Sequence, residues 1–249
     1  NGVSMHNQNN VKGCEAESIA LCLEQLGLDY VDLLLVHNPC SSPLEYNAAC
    51  LPHFFELFNM YGSEDAVRPE RLADGSNLRE LIMNAKKQEA LAAVDPAASK
   101  AVRRQTWAAL EKAQQEGKCR YIGVANYPVE LLLEMEEYAV IMPAVNQLEL
   151  HPIFASPNLR REAERLGIVL TGYGTGSFAQ LCEKLPDNSV ARRVLADIAA
   201  RLGVDAQTLT LRWTIQSGVV VIPRSGSAAH IAENFRIVEQ HERLSDEDM

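Results

Sequence analysis

Five short apolar runs each end on a polar side chain suited to chemistry. VDLLLV (31–36) runs into His37 and Asn38, CRYIGVA (119–125) into Asn126, AVN (144–146) into Gln147, IVLTG (168–172) into Tyr173, and VVVIP (219–223) into Arg224 and Ser225. An imidazole at such a strand end can donate a hydrogen bond to a substrate carbonyl and stabilise the alkoxide that forms on reduction. Two side-chain amides together offer donors and acceptors enough to fix a carboxamide in one orientation. A tyrosine ring can stack on a planar heterocycle. An arginine at the start of a helix grips phosphate, because its forked donors add to the anion affinity of the helix N-terminus.

Each residue also has a plainer reading. His37 could be satisfied by a backbone carbonyl beside the core, Asn126 and Gln147 could cap element ends, Tyr173 could be a core ring, and residues 224–234 could be a solvated helix start. What favours chemistry is the placement of all five sets at the carboxyl ends of strands, the rim where parallel α/β folds assemble their sites.

The elements that must position these groups follow from periodicity. Helical spacing predicts helices over 14–26, 78–94, from Asp95-Pro96 to Gly117, 128 to about 138, 157 to about 166, 189–202, 205–216 and onward from Ser227. Strands are expected at 31–36, 119–124, 144–148, 168–172 and 218–222, which gives strand–helix alternation and a parallel sheet. Ser245 with Asp248 has the spacing of a capping box at a further helix start. Residues 40–105 are far too long for an ordinary βα connection and read as an insertion with its own helices. Its Phe54, Phe55, Phe58, Met60 and Tyr61 suit either a flap over a site or the core of a small helical subassembly. Residues 1–10 read as the tail of a strand and a loop, so the chain looks cut from something longer, and five strands alone would leave 31–36 and 218–222 each with an unpaired edge.

Composition narrows the class. A chain of 249 residues, 47% hydrophobic, fits one large α/β domain. Its net charge of −10 argues against nucleic acid or an anionic membrane as partner. The six cysteines show neither C-x-x-C pairing nor zinc-ligand spacing, which fits a reducing cytosol, and no apolar run reaches the length of a membrane span. His151 follows Glu149 without a second His or Cys at ligand spacing, so no metal site is expected.

Four segments carry a family resemblance: LGLDYVDLLLVHNP (26–39), GKCRYIGVAN (117–126), PAVNQLELHP (143–152) and VVVIPRSGSAAHIAENF (219–235). In this order they resemble strands four, five, six and eight of the aldo-keto reductases. The resemblance implies an α/β fold, a partial (β/α)8 TIM barrel with strands four to eight and their helices, in a single partial domain over 1–249. It implies NADPH as cofactor and reduction of a small-molecule aldehyde or ketone, with no nucleic-acid or membrane partner. His37 would orient the carbonyl. Asn126 and Gln147 would hold the nicotinamide carboxamide, Tyr173 would stack on its ring, Arg224, Ser225 and His230 would meet phosphate, and Glu233 and Asn234 would lie near adenine.

The departures from the family pattern matter too. Ala125 stands where the family usually has Ser, and GYGTGS (172–177) replaces a Tyr-Ser-Pro-Leu-like loop. Gly172, Gly174 and Gly176 also spell a weak Rossmann-like turn with Ser177 in place of the third glycine. The family's acid Tyr, with its Lys and Asp, belongs to the first three strands, and no matching text for them occurs here. Two alternatives therefore stand beside the reductase: an NADPH-binding sensor or scaffold resembling potassium-channel β subunits, and an unrelated phosphate-binding barrel.

Overall fold

A computed structural model describes residues 2–5, 15–39, 96–152, 154–176, 189–240 and 243–249. Among these lie strands β1 (Gly2–Met5), β2 (Val31–Val36), β3 (Cys119–Ala125), β4 (Val145–Glu149), β5 (Val169–Tyr173) and β6 (Val220–Val221). The helices are α1 (Glu15–Leu26), α2 (Pro96–Gln115), α3 (Val129–Met135), α4 (Pro157–Leu166), α5 (Val190–Leu202), α6 (Ala206–Gln216) and α7 (Ala228–Gln240). The helix expected at 78–94, the aromatic cluster at 54–61, the Asp95 cap and Ser177 lie outside the described residues.

The chain divides into two compact units, residues 1–146 with 166–168, and 147–165 with 169–249. In the first, the strand order is β1-β2-β3 and then the first residues of β4. Gly2 to Met5 pair in parallel with Leu33 to Val36, and Val31 to Val36 with Cys119 to Val124. β1 corrects one expectation. The residues read as a strand tail form a sixth strand, so 31–36 has a neighbour on both sides and no open edge.

In this unit β2 and β3 bury apolar side chains on both faces. Leu34, Leu35, Ile122 and Val124 are all buried, as expected of parallel strands covered by helices. From α2, Trp107 and Leu110 join that core, and from α3, Leu132 and Met135. Polar ties hold the helices in place. Arg103 on α2 donates Nε and Nη2 to the two carboxylate oxygens of Glu134 on α3, at 2.9 and 2.8 Å. Glu111 accepts from the backbone N–H groups of Val140 and Ile141, and Trp107 Nε1 donates to the Ile141 carbonyl. Residues 96–105, the last part of the expected insertion, are the first half of α2. They stand in the helix that leads directly into β3.

How each helix hands over to a strand is visible at Gly117. Its φ of 75° lets Gly117 N–H reach the Gln114 carbonyl and Lys118 N–H the Ala113 carbonyl, which closes α2 two residues before β3. α3 is shorter than the pattern predicts. Glu136, Glu137 and Tyr138 continue it as a tightened turn, each N–H bonding three residues back, so the periodicity outlasts the α-helix.

In the second unit the order is β4-β5-β6, with Thr171 and Gly172 paired in parallel with Val220 and Val221. β6 keeps two of the five residues expected. Val219 N–H is spent on the Thr214 carbonyl at the end of α6, and Pro223 has no N–H to continue a ladder. Asp205 caps α6 by accepting from Thr208 N–H and hydroxyl, both at 2.8 Å. Gln216 clamps Leu244 through both of its backbone groups. The expected helix after Ser245 is a turn over 246–248, in which Ser245 Oγ donates to Asp248 Oδ2 at 2.7 Å.

Parallel strands in chain order, each handed on through a helix, are the pattern of the (β/α)8 class.

Candidate active site

The parallel register sets Val36 beside Val124, so His37 and Asn126 leave β2 and β3 within two residues of that pair. Asn126 Nδ2 donates to the His37 carbonyl at 2.8 Å and approaches Asn38 Oδ1 at 3.1 Å. Asn38 Nδ2 lies 3.2 Å from His37 Nδ1. The two predicted residues are thus brought together, with Asn38 as the link between them. Asn126 has φ of 61°, a left-handed conformation that asparagine tolerates better than most residues and that costs backbone energy. Its chain neighbour is held from another strand: fully buried Asn146 accepts from Tyr127 N–H and donates to the Tyr127 carbonyl at 2.9 Å.

Both Nδ2 protons of Asn126 are committed by this geometry.

In the second unit Gln147 and Glu149 alternate with the buried Leu148 of β4 and with Leu150 just past its end. Leu150 N–H donates to the Tyr173 carbonyl at 3.4 Å, which sets the end of β5 beside the end of β4. The turn after Tyr173 passes through Gly174 at φ 75°, where an added Cβ would come within 3.2 Å of Glu149 Cγ and Oε1. Gly172 belongs to β5, and a Cβ there would press to 3.2 Å on Val219 and 3.4 Å on the Leu150 carbonyl. It is a packing glycine inside a strand, which removes the Rossmann-like turn as a reading. His151 is buried, with Nε2 3.5 Å from Glu149 Oε1, and no cluster of metal-binding side chains occurs among the described residues.

Arg224, Ser225 and His230 lie together at the start of α7. Ser227 is the cap: its Oγ accepts from His230 N–H at 3.4 Å, and its carbonyl takes the first helical bond, from Ile231 N–H. Ser225 Oγ accepts from Ser227 N–H at 3.1 Å, so this serine shapes the turn. Arg224 is exposed beside it, and His230 and Glu233 are exposed on the helix. Asn234 is half-buried, and its Oδ1 accepts from Gln207 Nε2 at 3.1 Å. A Cβ on Gly176 would also meet Gln207, at 3.6 Å, so one glutamine adjoins both the loop after β5 and Asn234 of α7.

The donor set at this turn suits phosphate: a guanidinium, a serine turn and the first backbone N–H groups of a 13-residue helix. Sequence reading named Asn38 and Ser227 without their partners, and it missed Asn146 and Gln207. The Ser227 cap was open to it, as a serine directly ahead of a helical stretch. Asn146 and Gln207 act across distances in sequence that no local pattern shows, and so does the link from Asn38 to Asn126.

A (β/α)8-type sheet with polar side chains at its strand ends defines the class of protein. Residues 1–249 match the Aldo/keto reductase family throughout, and the chain belongs to that family. It is 35% identical over 227 residues to aldose reductase B of Dictyostelium discoideum, covering 91% of this chain and 60% of that protein. To the NAD(P)H-dependent D-xylose reductase I,II of Candida tropicalis it is 30% identical over 224 residues, covering 87% of this chain and 59% of the relative. In fold it matches the aldo-keto reductase MGS-M4 from a deep-sea metagenome library, with a TM-score of 0.67, 23% identity, all of this chain and 67% of the other. The chain thus spans about 60% of the length of these curated relatives.

Proposed function

We propose that the protein is a carbonyl reductase that uses NADPH to convert an aldehyde or ketone to an alcohol, and that His37 orients the carbonyl. The observation that carries this reading is the 2.8 Å hydrogen bond from Asn126 to the His37 carbonyl, which joins the two polar strand ends at the carboxyl edge of a parallel sheet. Family membership supports it, as does the NAD(P)H dependence of the D-xylose reductase it resembles.

When bound, the dinucleotide supplies the hydride. The rest falls to this chain's residues. In the first unit Asn126 offers its side-chain amide to a carboxamide; in the second, Gln147 offers its own and Tyr173 a ring for stacking. Arg224, with the N-terminus of α7, holds phosphate, and the exposed His230 adds a donor where a 2′-phosphate would be met. Glu233 and Asn234 border the adenine side, with Asn234 steadied by Gln207. His37 donates to the carbonyl oxygen and favours the alkoxide over the neutral ground state. The proton that completes the alcohol comes from an acid outside this set.

The test is His37→Ala in the full-length protein, assayed with aldoses and simple aldehydes. The expected result is a loss of about a hundredfold or more in kcat/KM, the scale for one oriented polar group, with NADPH affinity unchanged. A wild-type protein that binds NADPH tightly and turns over no carbonyl would make it a sensor or scaffold instead.

A further inference from the structure

We propose that Asn38 is a positioning residue that fixes the tautomer of His37, so that the ring presents Nε2–H to the substrate; the inference rests on reading His37 as the carbonyl-orienting group. The assignment starts from a group whose role is fixed. The His37 carbonyl can only accept, so the Asn126 atom 2.8 Å from it is the amide nitrogen. That same nitrogen lies 3.1 Å from the Asn38 amide, so the Asn38 atom facing it is oxygen. The other end of the Asn38 amide is then its NH2, and this group sits 3.2 Å from His37 Nδ1. An amide NH2 donates and cannot accept, so Nδ1 contributes its lone pair and the neutral ring carries its proton on Nε2.

The opposite tautomer would set the Nδ1 proton against the amide protons of Asn38. Polarity therefore runs one way, from Asn126 through Asn38 to the imidazole, and it is anchored on a backbone carbonyl of the very residue it orients. Asn126 holds its end of the chain at φ 61°, a conformation maintained although it costs energy. Asn38 acts only through His37.

The experiment is ring nitrogen NMR on protein labelled with 15N-histidine, read at rest without substrate, together with carbonyl-reduction kinetics on Asn38→Ala and Asn38→Asp. In the wild type His37 should show a protonated Nε2 and a bare Nδ1. A carboxylate only accepts, so Asn38→Asp should move the proton to Nδ1 and lower kcat/KM about a hundredfold, while Asn38→Ala should give a mixture of tautomers and a loss of about tenfold. NADPH affinity should hold in both. A wild-type ring protonated on Nδ1, or the same ring spectrum in wild type and Asn38→Asp, would overturn the proposal, and the wild-type spectrum decides even if a variant fails to fold. The expected spectra without carbonyl turnover in any form would leave the tautomer assignment standing and overturn the reductase reading instead.

Discussion

At the scale of single residues, the contrast between His37 and Arg224 shows how much a side chain's role depends on what it is tied to. His37 is embedded in a hydrogen-bonded chain that reaches another strand, whereas Arg224 is exposed at a helix start whose turn is held by Ser225 and Ser227. On the proposed reading the arginine serves a charged ligand and not the fold. Arg224→Ala should leave stability nearly unchanged. It should weaken NADPH binding far more than NADH binding, by about 1.5–3 kcal/mol for lost charge-assisted hydrogen bonds, or about tenfold to a hundredfold in affinity. Fluorescence titration with both cofactors checks this. Equal losses for the two would remove the 2′-phosphate from the account of Arg224 and shift it to the pyrophosphate or to neither.

At the scale of elements, β3 is closely constrained by its neighbours. Gly123 faces a gap that no side chain could share: an added Cβ would stand 2.6 Å from the Val145 carbonyl oxygen and 2.7 Å from Leu35 Cδ2. The backbone oxygen cannot rotate away. Gly123→Ala should therefore push β3 and β4 apart and destabilise the protein by about 1–3 kcal/mol, the usual cost of overpacking. A urea melt measures it, and an unchanged midpoint would mean that the strands yield freely. β3 was legible from its sequence because a covered parallel strand is written as a continuous apolar run, and the same holds for 31–36, which forms at the predicted bounds. The Pro157–Leu166 helix was equally plain, bounded by a proline at its first position and Gly167 just past its end. β6 and α3 were overdrawn because periodicity reports which residues are apolar or facing, whereas the ladder also depends on which N–H groups are already spent. In the site, residue types at strand ends were legible, and their partners were not: Asn38 sits next to His37 in sequence, yet its orientation is set by Asn126, 88 residues on.

At the scale of the whole molecule, an acidic chain is expected to hold an anionic ligand only through local cations and helix N-termini, and its stability at high pH should reflect groups buried uncharged. Tyr138 is such a group. Its hydroxyl is pushed up to about 12, first by burial and then by the nearby Glu134 carboxylate, with Arg103 pulling the other way. In the unfolded chain the same phenol ionises near 10. Below about pH 10 both states keep the proton, and the contribution to stability is whole. From about 10 to 12 the unfolded state releases a proton that the folded state retains, so stability falls with rising pH, and above about 12 the contribution is gone. The expected loss across that window is on the order of 1–2 kcal/mol, allowing for partial exposure of the ring to solvent. Other tyrosines and the growing negative charge also act there, so the measurement is a difference: urea midpoints of wild type and Tyr138→Phe compared from neutral pH to about 11. The wild type should lose ground to the variant only above about pH 10. Parallel curves through that range would show that Tyr138 ionises as readily in the folded protein as in the unfolded chain, and that the Arg103–Glu134 pair beside it leaves the phenol open to water.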